Sequence, residues 1–452
     1  MSTLRKDRKM TLFALTWPIF IEIMLHMLMG NADTLMLSQY SDHSVAAVGV
    51  SNQILFLLIV MFGFIATGTT ILVAQYIGGN LYKEAKEISS VSLSANLLFS
   101  ILISVIIVIA SEDILQLMNL PQELMADAMF YLKVVGGFSF LQALIMTAGA
   151  ILKSYGYTKD SMYLTIGMNL INIIGNYLFI FGPFGIPVLG VQGVAISTVV
   201  SRFIGLLAIL YILKQRVHFT LSLKGLFKLP AHYIKKLLYI GIPTAGEQLS
   251  YNASQMMITV FITMIGTEAL TTKVYAQNLM MLILLFSLAV SQGTQILVGY
   301  MVGAKEYDSA YKRCLKSLQS GIVISTLMAI VFTLFSDQLL GIFTSNERIL
   351  EVGGTLILLT IILEPGRAFN MIIIGSLRAA GDIRFPTYIG ILSMWGIGVP
   401  IAYVLGIHYD LGLVGVWIAY IADEWARGII MYYRWKSKAW QGKRFTQEAV
   451  VS

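Results

Sequence analysis

Three residues that can carry charge or a proton sit inside the first long apolar stretch of the chain: Glu22, His26 and Asp33. Their spacings of four and seven put them on one face of a helix. A charged group at mid-membrane depth costs roughly 2.5–3.5 kcal/mol on insertion scales, so such a face must pair, titrate or look into water. A carboxyl group held there can carry a proton. Asp33 therefore reads as a proton- or cation-coupling residue, with Glu22 nearer the middle of the helix as a second candidate. His26 reads as a hydrogen-bonded packing residue. A later stretch, "MNLINIIGNYLFIFG", adds Asn169, Asn172 and Asn176, the last two one turn apart. Their amide oxygens could ligate Na⁺ or hold a carboxylate; the plainer reading is hydrogen-bonded glue between helices.

The second half carries its own charged set. Glu247, Glu364 and Arg367 read as a polar network, with an ion pair within "LEPGRAFN" beside Pro365 as the blander alternative. Asp423, Glu424 and Arg427 fall one turn apart and can pair locally. Asn52-Gln53 and Gln277-Asn278 are candidates to line a substrate cleft or to join helices. Lys133 has no evident partner and reads as a side chain that reaches toward the headgroups.

The elements that must position these groups are set by composition. Of 452 residues, 57% are hydrophobic and only 12% charged, against roughly 25% charged in a soluble domain. Apolar blocks of about 20 residues, enough to cross the hydrocarbon, recur throughout. Twelve helices are predicted, at roughly 11–37, 47–77, 88–110, 125–151, 161–182, 188–213, 236–262, 272–302, 312–335, 348–376, 386–406 and 411–434. The fold class is an all-α polytopic membrane protein. The first apolar block is too long for a cleavable signal peptide and lacks a small-residue cleavage site. Lys and Arg concentrate in alternate connections, from Arg5, Lys6, Arg8 and Lys9 through Lys83 and Lys86 to the basic tail, with Lys273 and Arg348 as weak exceptions. That alternation accounts for the net charge of +7 without a nucleic-acid partner and predicts that both termini are cytoplasmic. Cys314 is the only cysteine, so no internal disulfide forms.

Shifted so that Pro18 falls on Pro243, the sequence matches itself. "LTWPIFIE" then falls on "IGIPTAGE", "ILVAQYIGG" on "ILVGYMVGA" and "LKSYGYTKDSMY" on "LRAAGDIRFPTY". After a three-residue slip, "LGVQGVAI" meets "LGLVGVWI". One six-helix unit is used twice, and an even helix count makes the copies parallel repeats. The expected domains are an N-lobe over 1–213, a cytoplasmic linker over 214–235 with a short surface helix in "GLFKLPAHYIKKLL", and a C-lobe over 236–452. Two lobes flanking a cleft suit alternating access; a duplicated channel or scaffold is the rival. No phosphate-binding loop, zinc motif or nucleophile elbow is present, so the chain is not expected to be an enzyme or to need a cofactor.

Together, "ADTLML" followed by "VAAVGVSNQ", "NIIGNYLFIFG", "GVQGVAISTVVSR", "AQNLM" and "QGTQILVGYMVGA" resemble the multidrug and toxic compound extrusion (MATE) family in order and spacing. The resemblance covers nearly the whole chain. It implies a plasma-membrane antiporter, a monomer among membrane lipids, that exports organic cations or drugs in exchange for H⁺ or Na⁺. It also implies an N-lobe ion site at Asp33, Asn172, Asn176 and Thr198, where the same oxygens would serve Na⁺; H⁺ is favoured because only one of the four is acidic. The C-lobe departs from the family. The usual seventh-helix glutamate position holds Tyr251, a cleft candidate, and the tenth-helix acid position holds Arg367. A lipid-linked precursor flippase is the rival within transport.

Overall fold

The computed structural model describes residues 10–218 and 229–446. Among the described residues every regular element is a helix. The N-terminal half contains α1 (Leu12–Ser38), α2 (Asp42–Gly78), α3 (Tyr82–Leu117), α4 (Gln122–Tyr131), α5 (Ser139–Ser154), α6 (Thr158–Phe181) and α7 (Val191–Val217). The C-terminal half contains α8 (Ala231–Ile265), α9 (Thr267–Gly303), α10 (Tyr307–Leu334), the short α11 (Ser336–Gly341), α12 (Glu347–Ala379), α13 (Arg384–Ser393), α14 (Val399–Tyr403) and α15 (Gly412–Lys436).

One of the predicted spans is bent, and another is continuous but carries π-helical turns. The fourth is α4 and α5, joined through a π-helical turn at Leu132–Gly136 and bent by 42°. The eleventh runs α13 to α14 with π-helical turns at Met394–Gly398 and Val404–His408. Such turns widen the helix by one residue and are a recognised cause of kinks. With the bent pair taken as one span, up to ten spans among the described residues are long and apolar enough to cross a membrane. The remaining two of the twelve are α8 and α15. They are 35 and 25 residues long. Length is therefore sufficient, at a rise of about 1.5 Å per residue. What they lack is apolarity: α15 carries Asp423, Glu424 and Arg427, and α8 carries Glu247 together with uncharged polar residues such as Gln248, Asn252 and Gln255. The segment 225–238, expected as a separate surface helix, lies partly outside the described residues; from Ala231 onward it is the start of α8. The basic residues Arg5, Lys6, Arg8, Lys9, Lys224 and Lys228 also lie outside them.

The chain forms two compact units. One comprises residues 21–73 and 81–241; the other comprises 1–20, 74–80 and 242–452. In the first, one core gathers Phe62, Leu115, Leu132 and Val194, and another gathers Leu93, Ile151, Ile209 and Leu213. In the second, Trp435, Trp440, Ile372 and Leu377 form one core, and Ile262, Leu356, Leu363 and Trp417 another. Lipid tails are as apolar as these side chains, so close packing rather than water exclusion drives helix association. Small residues supply it. A Cβ on Gly175 of α6 would lie 2.2 Å from Ser197 Oγ, and one on Gly205 of α7 would lie 2.3 Å from Met168 Sδ. These two glycines let α6 and α7 meet at close range. The fit sets Asn172 and Asn176, on either side of Gly175, against the neighbour of Ser197, Thr198. Helix α6 ends at Gly182, whose φ of +60° is a left-handed cap, before Pro183.

Candidate functional site

Four side chains from three helices form one hydrogen-bonded chain. Asn176 Nδ2 of α6 donates to Asp33 Oδ1 of α1 at 2.6 Å and to Asn172 Oδ1 at 3.2 Å. Asn172 Nδ2 donates to Thr198 Oγ1 of α7 at 3.2 Å. Thr198 in turn donates to its own helix at Val194 O. Asn172, Asn176 and Thr198 are buried and Asp33 is half-buried. Asn176 Oδ1 is buried and has no hydrogen-bond partner among the described residues. A buried acceptor left unmade costs about 1–3 kcal/mol, so this oxygen is available to a cation or a donor. The set offers one carboxylate, two amides and one hydroxyl, all hard oxygen donors. Tyr131 and Arg202 lie within electrostatic reach of Asp33. Neither was singled out as a site residue from the sequence, although Arg202 lies one helical turn past Thr198.

The other candidates on α1 lie apart from this chain. Glu22 Oε1 accepts from Lys153 Nζ of α5 at 2.9 Å in a largely buried ion pair. Along the helix Glu22 is about 16 Å from Asp33. His26 is exposed rather than packed, within electrostatic reach of Glu22. Asn169 Nδ2 donates to Leu25 O at 3.0 Å, which ties α6 to α1 between the two acids.

In the second half Glu364 pairs with Arg367, and Asp423 and Glu424 pair with Arg427, as their spacing allows, but Glu247 has a different partner from the one expected. The anticipated meeting of Glu247 with Arg367 is not formed. Glu247 accepts from Arg378 Nη2, at the end of α12. Arg367 binds Glu364 Oε1 at 2.7 Å and lies 3.9 Å from Glu424 Oε1. Arg427 lies 2.8 Å from Asp423 Oδ2 and 3.2 Å from Glu424 Oε1. Ser393 of α13 donates to Asp423 Oδ1 at 2.5 Å, and Asn370 of α12 donates to Glu424 Oε2 at 2.8 Å. The reason for the changed pairing is axial. Arg367 and Arg378 are both on α12, separated by about three helical turns, and Glu247 lies at the level of the later one. Tyr251 is partly exposed and within electrostatic reach of Arg367 and Glu424. Asn52 and Gln277 are half-buried, Gln53 and Asn278 exposed, and among the described residues neither pair joins either cluster.

The two Glu pairs are one feature repeated. The offset that places Glu22 on Glu247 places Lys153 on Arg378, and in each copy the acid binds the base. The self-match had already aligned the two segments; what it lacked was a reason to read them as partners.

A family model, MatE, matches the chain twice, over residues 18–178 and 243–404. The two matches start at Pro18 and Pro243, the prolines that the internal repeat superposes. The chain belongs to the MatE family. It is therefore a multi-pass membrane transporter and not an enzyme. It is 58% identical over 434 residues to the "uncharacterized transporter YisQ" of Bacillus subtilis (strain 168), covering 96% of this chain and 95% of that one. It is 29% identical over 446 residues to the "probable multidrug resistance protein NorM" of Thermotoga maritima, covering 97% and 95%. Among solved structures, the outward-facing conformation of a multidrug resistance MATE family transporter superposes with a TM-score of 0.87 at 21% identity, covering 97% of each chain. That likeness establishes the twelve-helix, two-lobed fold.

Proposed function

We propose that this transporter is a cation-coupled antiporter that exports organic cations or drugs by alternating access of two lobes, with the Asp33 cluster as its coupling site. The observation that carries the reading is the chain Asp33–Asn176–Asn172–Thr198 with its orphaned Asn176 Oδ1. A carboxylate hydrogen-bonded to neutral partners, with Arg202 in electrostatic reach but not paired to it directly, can take up and release a single charge without breaking a direct ion pair. Proton coupling is the favoured form. Asp33 would be neutral when open to an acidic exterior and would lose its proton inward. In the neutral state the desolvation penalty on the α1 face falls, so that face can bury. The ionised state would then favour the hydrated, drug-accepting arrangement. Na⁺ would use the same four oxygens as ligands.

The relatives named for multidrug resistance support a drug-like substrate. The lobes are proposed as 1–213 and 236–452, joined by a linker at 214–235. The basic connections support cytoplasmic termini in a plasma membrane. A lipid-linked precursor flippase would favour a cleft rich in basic residues; few lie within the spans, and Arg367, Arg378 and Arg427 are each engaged by a carboxylate.

The test is efflux of a fluorescent organic cation from proteoliposomes under a pH gradient or a Na⁺ gradient, one at a time at fixed membrane potential. Proton-driven efflux with matching proton counterflow is expected. Full activity driven by Na⁺ alone would overturn the proton assignment, and efflux indifferent to both gradients would overturn antiport.

A further inference from the structure

The end of α2 is gripped by parts of the chain far from it in sequence. Residues 21–73 fall in one compact unit, but 74–80 fall in the other, so α2 crosses from one to the other within its last two turns. There it packs against the end of α9 with almost no space between the backbones. A Cβ on Gly78 would lie 2.0 Å from Tyr300 O, and a Cβ on Gly303 would lie 2.0 Å from Gln75 O. The contact is reciprocal, because Gly78 and Gly303, like Gln75 and Tyr300, are repeat-related at the same offset. Only glycine permits this approach in both copies.

Gln75 has a further task that its repeat mate cannot perform. Its side chain is fully buried. Nε2 donates to Ala379 O at the end of α12 at 2.6 Å, and Oε1 accepts from Phe445 N at 2.8 Å. The second bond joins positions 370 apart in sequence, near the C-terminal end of the described chain. Terminal segments are ordinarily frayed unless something ties them down. Ser437–Thr446 follows the last helix and is tied at several points. Trp440 and Phe445 are fully buried. The Trp440 ring stacks on Trp435 at 4.2 Å, and its Nε1 donates to Trp435 O at 2.9 Å. Asp382, itself buried, accepts from Lys443 and from Arg434 at 2.8 Å each. Gly381 has φ of +97°, and a Cβ there would lie 2.0 Å from Lys443 O, so the turn after α12 is shaped to receive the segment.

We propose that Ser437–Thr446 is a latch that holds the end of α2 against α9 and α12. Its bolt is the Gln75 amide, bonded at one end to α12 and at the other to Phe445. The α2–α9 crossing parts only when the Gln75–Phe445 bond breaks, and the docked segment sets how often that happens. Lys443 of this segment thus serves Asp382 and the latch as well as any orientation bias. The proposal rests on reading the chain as a transporter that changes conformation, but its test does not require transport.

The test uses the full chain in lipid nanodiscs with Cys314→Ser, carrying spin labels at Asn80→Cys and Glu306→Cys, just beyond the ends of α2 and α9. Pulsed dipolar spectroscopy then reads the populations of close and separated label pairs. Ending the chain at Gly442 should raise the separated-to-close ratio about tenfold, the scale of one or two buried hydrogen bonds. Gln75→Leu should raise it by a similar factor. Combining the two should add little, because both remove the same bond. Gly381→Ala, which displaces Lys443 with the tail intact, should act in the same direction and carries the test if the shortened chain fails to fold. An unchanged ratio in Gln75→Leu and Gly381→Ala, or effects that multiply in the combination, would overturn the latch. Label distances that respond as expected in a protein that transports nothing would support the latch and count against the proposed function.

Discussion

The two copies of the six-helix unit share a frame and differ in what they mount on it. Each carries an interior proline, Pro18 or Pro243, followed four residues later by a glutamate that binds a base from another helix. Beyond that frame the copies diverge. Asp33 corresponds to Ile258, so the first copy's acid has no counterpart in the second. Conversely Glu364 and Arg367 correspond to Ser139 and Gln142. After the three-residue slip, Arg202 corresponds to Glu424, a reversal of charge. The first copy ends with one carboxylate that is hydrogen-bonded to a neutral amide and has Arg202 within electrostatic reach but not in a direct ion pair. The second ends with Glu364, Asp423 and Glu424 interlocked with Arg367 and Arg427. A lone carboxylate with neutral partners can change charge at modest electrostatic cost. A carboxylate engaged by buried guanidinium groups cannot do so without leaving a cation unpaired. The proposed coupling carboxylate of the first copy thus contrasts with a network in the second that links α12, α13 and α15.

The sharpest way to break that contrast is to remove a cation from the network. Arg427→Met leaves Asp423 and Glu424 buried without their closest counter-charge, and breaking such a pair typically costs about 3–5 kcal/mol. The expected outcome is a large fall in thermal stability of purified protein and in membrane yield. A variant as stable as the parent would show that the second copy tolerates charge change as readily as the first.

Asp33→Asn should do the reverse. The substituted amide still meets Asn176, so the protein should fold and remain in the membrane at close to the parent's stability. Ion-driven efflux in proteoliposomes should fall to background, because no group in the cluster is left to titrate. The sign of the pH effect follows from the proposed cycle: parent efflux should weaken as the receiving side is made less acidic, and Asp33→Asn should show no such dependence. Retained, pH-dependent efflux in the variant would move the coupling site elsewhere.

The shared frame predicts a smaller effect. Double-mutant cycles with Glu22→Gln and Lys153→Met, and with Glu247→Gln and Arg378→Met, should each give a coupling of about 0.5–3 kcal/mol in unfolding free energy. The pair Glu247→Gln and Arg367→Gln should come out close to additive. Strong coupling there, with none between Glu247 and Arg378, would contradict the pairing described.

What the sequence disclosed, and what it hid, divides along the same line. Helix number, the duplication and the shared face of Glu22 and Asp33 follow from periodicity, because hydropathy and the helical repeat are properties of one segment. Asn172 and Asn176 were visible as costly amides one turn apart. Thr198 was reached only through the family resemblance, since a threonine in a helix is commonplace. The partner of Glu247 was hidden, as was Glu424 beside Arg367, because periodicity tells which residues share a stripe but not which stripe faces them. The bend of the fourth span and the π-helical turns of the eleventh were hidden because a π-helical turn leaves the apolar run intact. The docking of Phe445 on Gln75 joins positions 370 apart and had no local signal at all.

The smallest expected effect is also the one that discriminates between ions. Thr198→Val keeps the shape of the side chain and removes its hydroxyl. The hydroxyl accepts a hydrogen bond from Asn172 and donates one within its own helix, with the Tyr131 phenol also within hydrogen-bonding reach. If the coupling ion is a proton held by Asp33, the loss is one neutral hydrogen bond, separated from the acid by both asparagines. A net value of about 0.5–1.5 kcal/mol corresponds to a change of roughly two- to tenfold. The rate should fall by that factor at every Na⁺ concentration, with its pH dependence unmoved. If the ion is Na⁺, the hydroxyl oxygen is one of four ligands. Its loss should then appear mainly as a rise in the Na⁺ concentration for half-maximal efflux, with the maximal rate recovered at high Na⁺. Measuring efflux across a Na⁺ series at two fixed pH values distinguishes the outcomes. A modest, Na⁺-independent loss would sharpen the view of the first copy as a single-proton site, and recovery by added Na⁺ would replace it with an oxygen-ligand site for a metal cation.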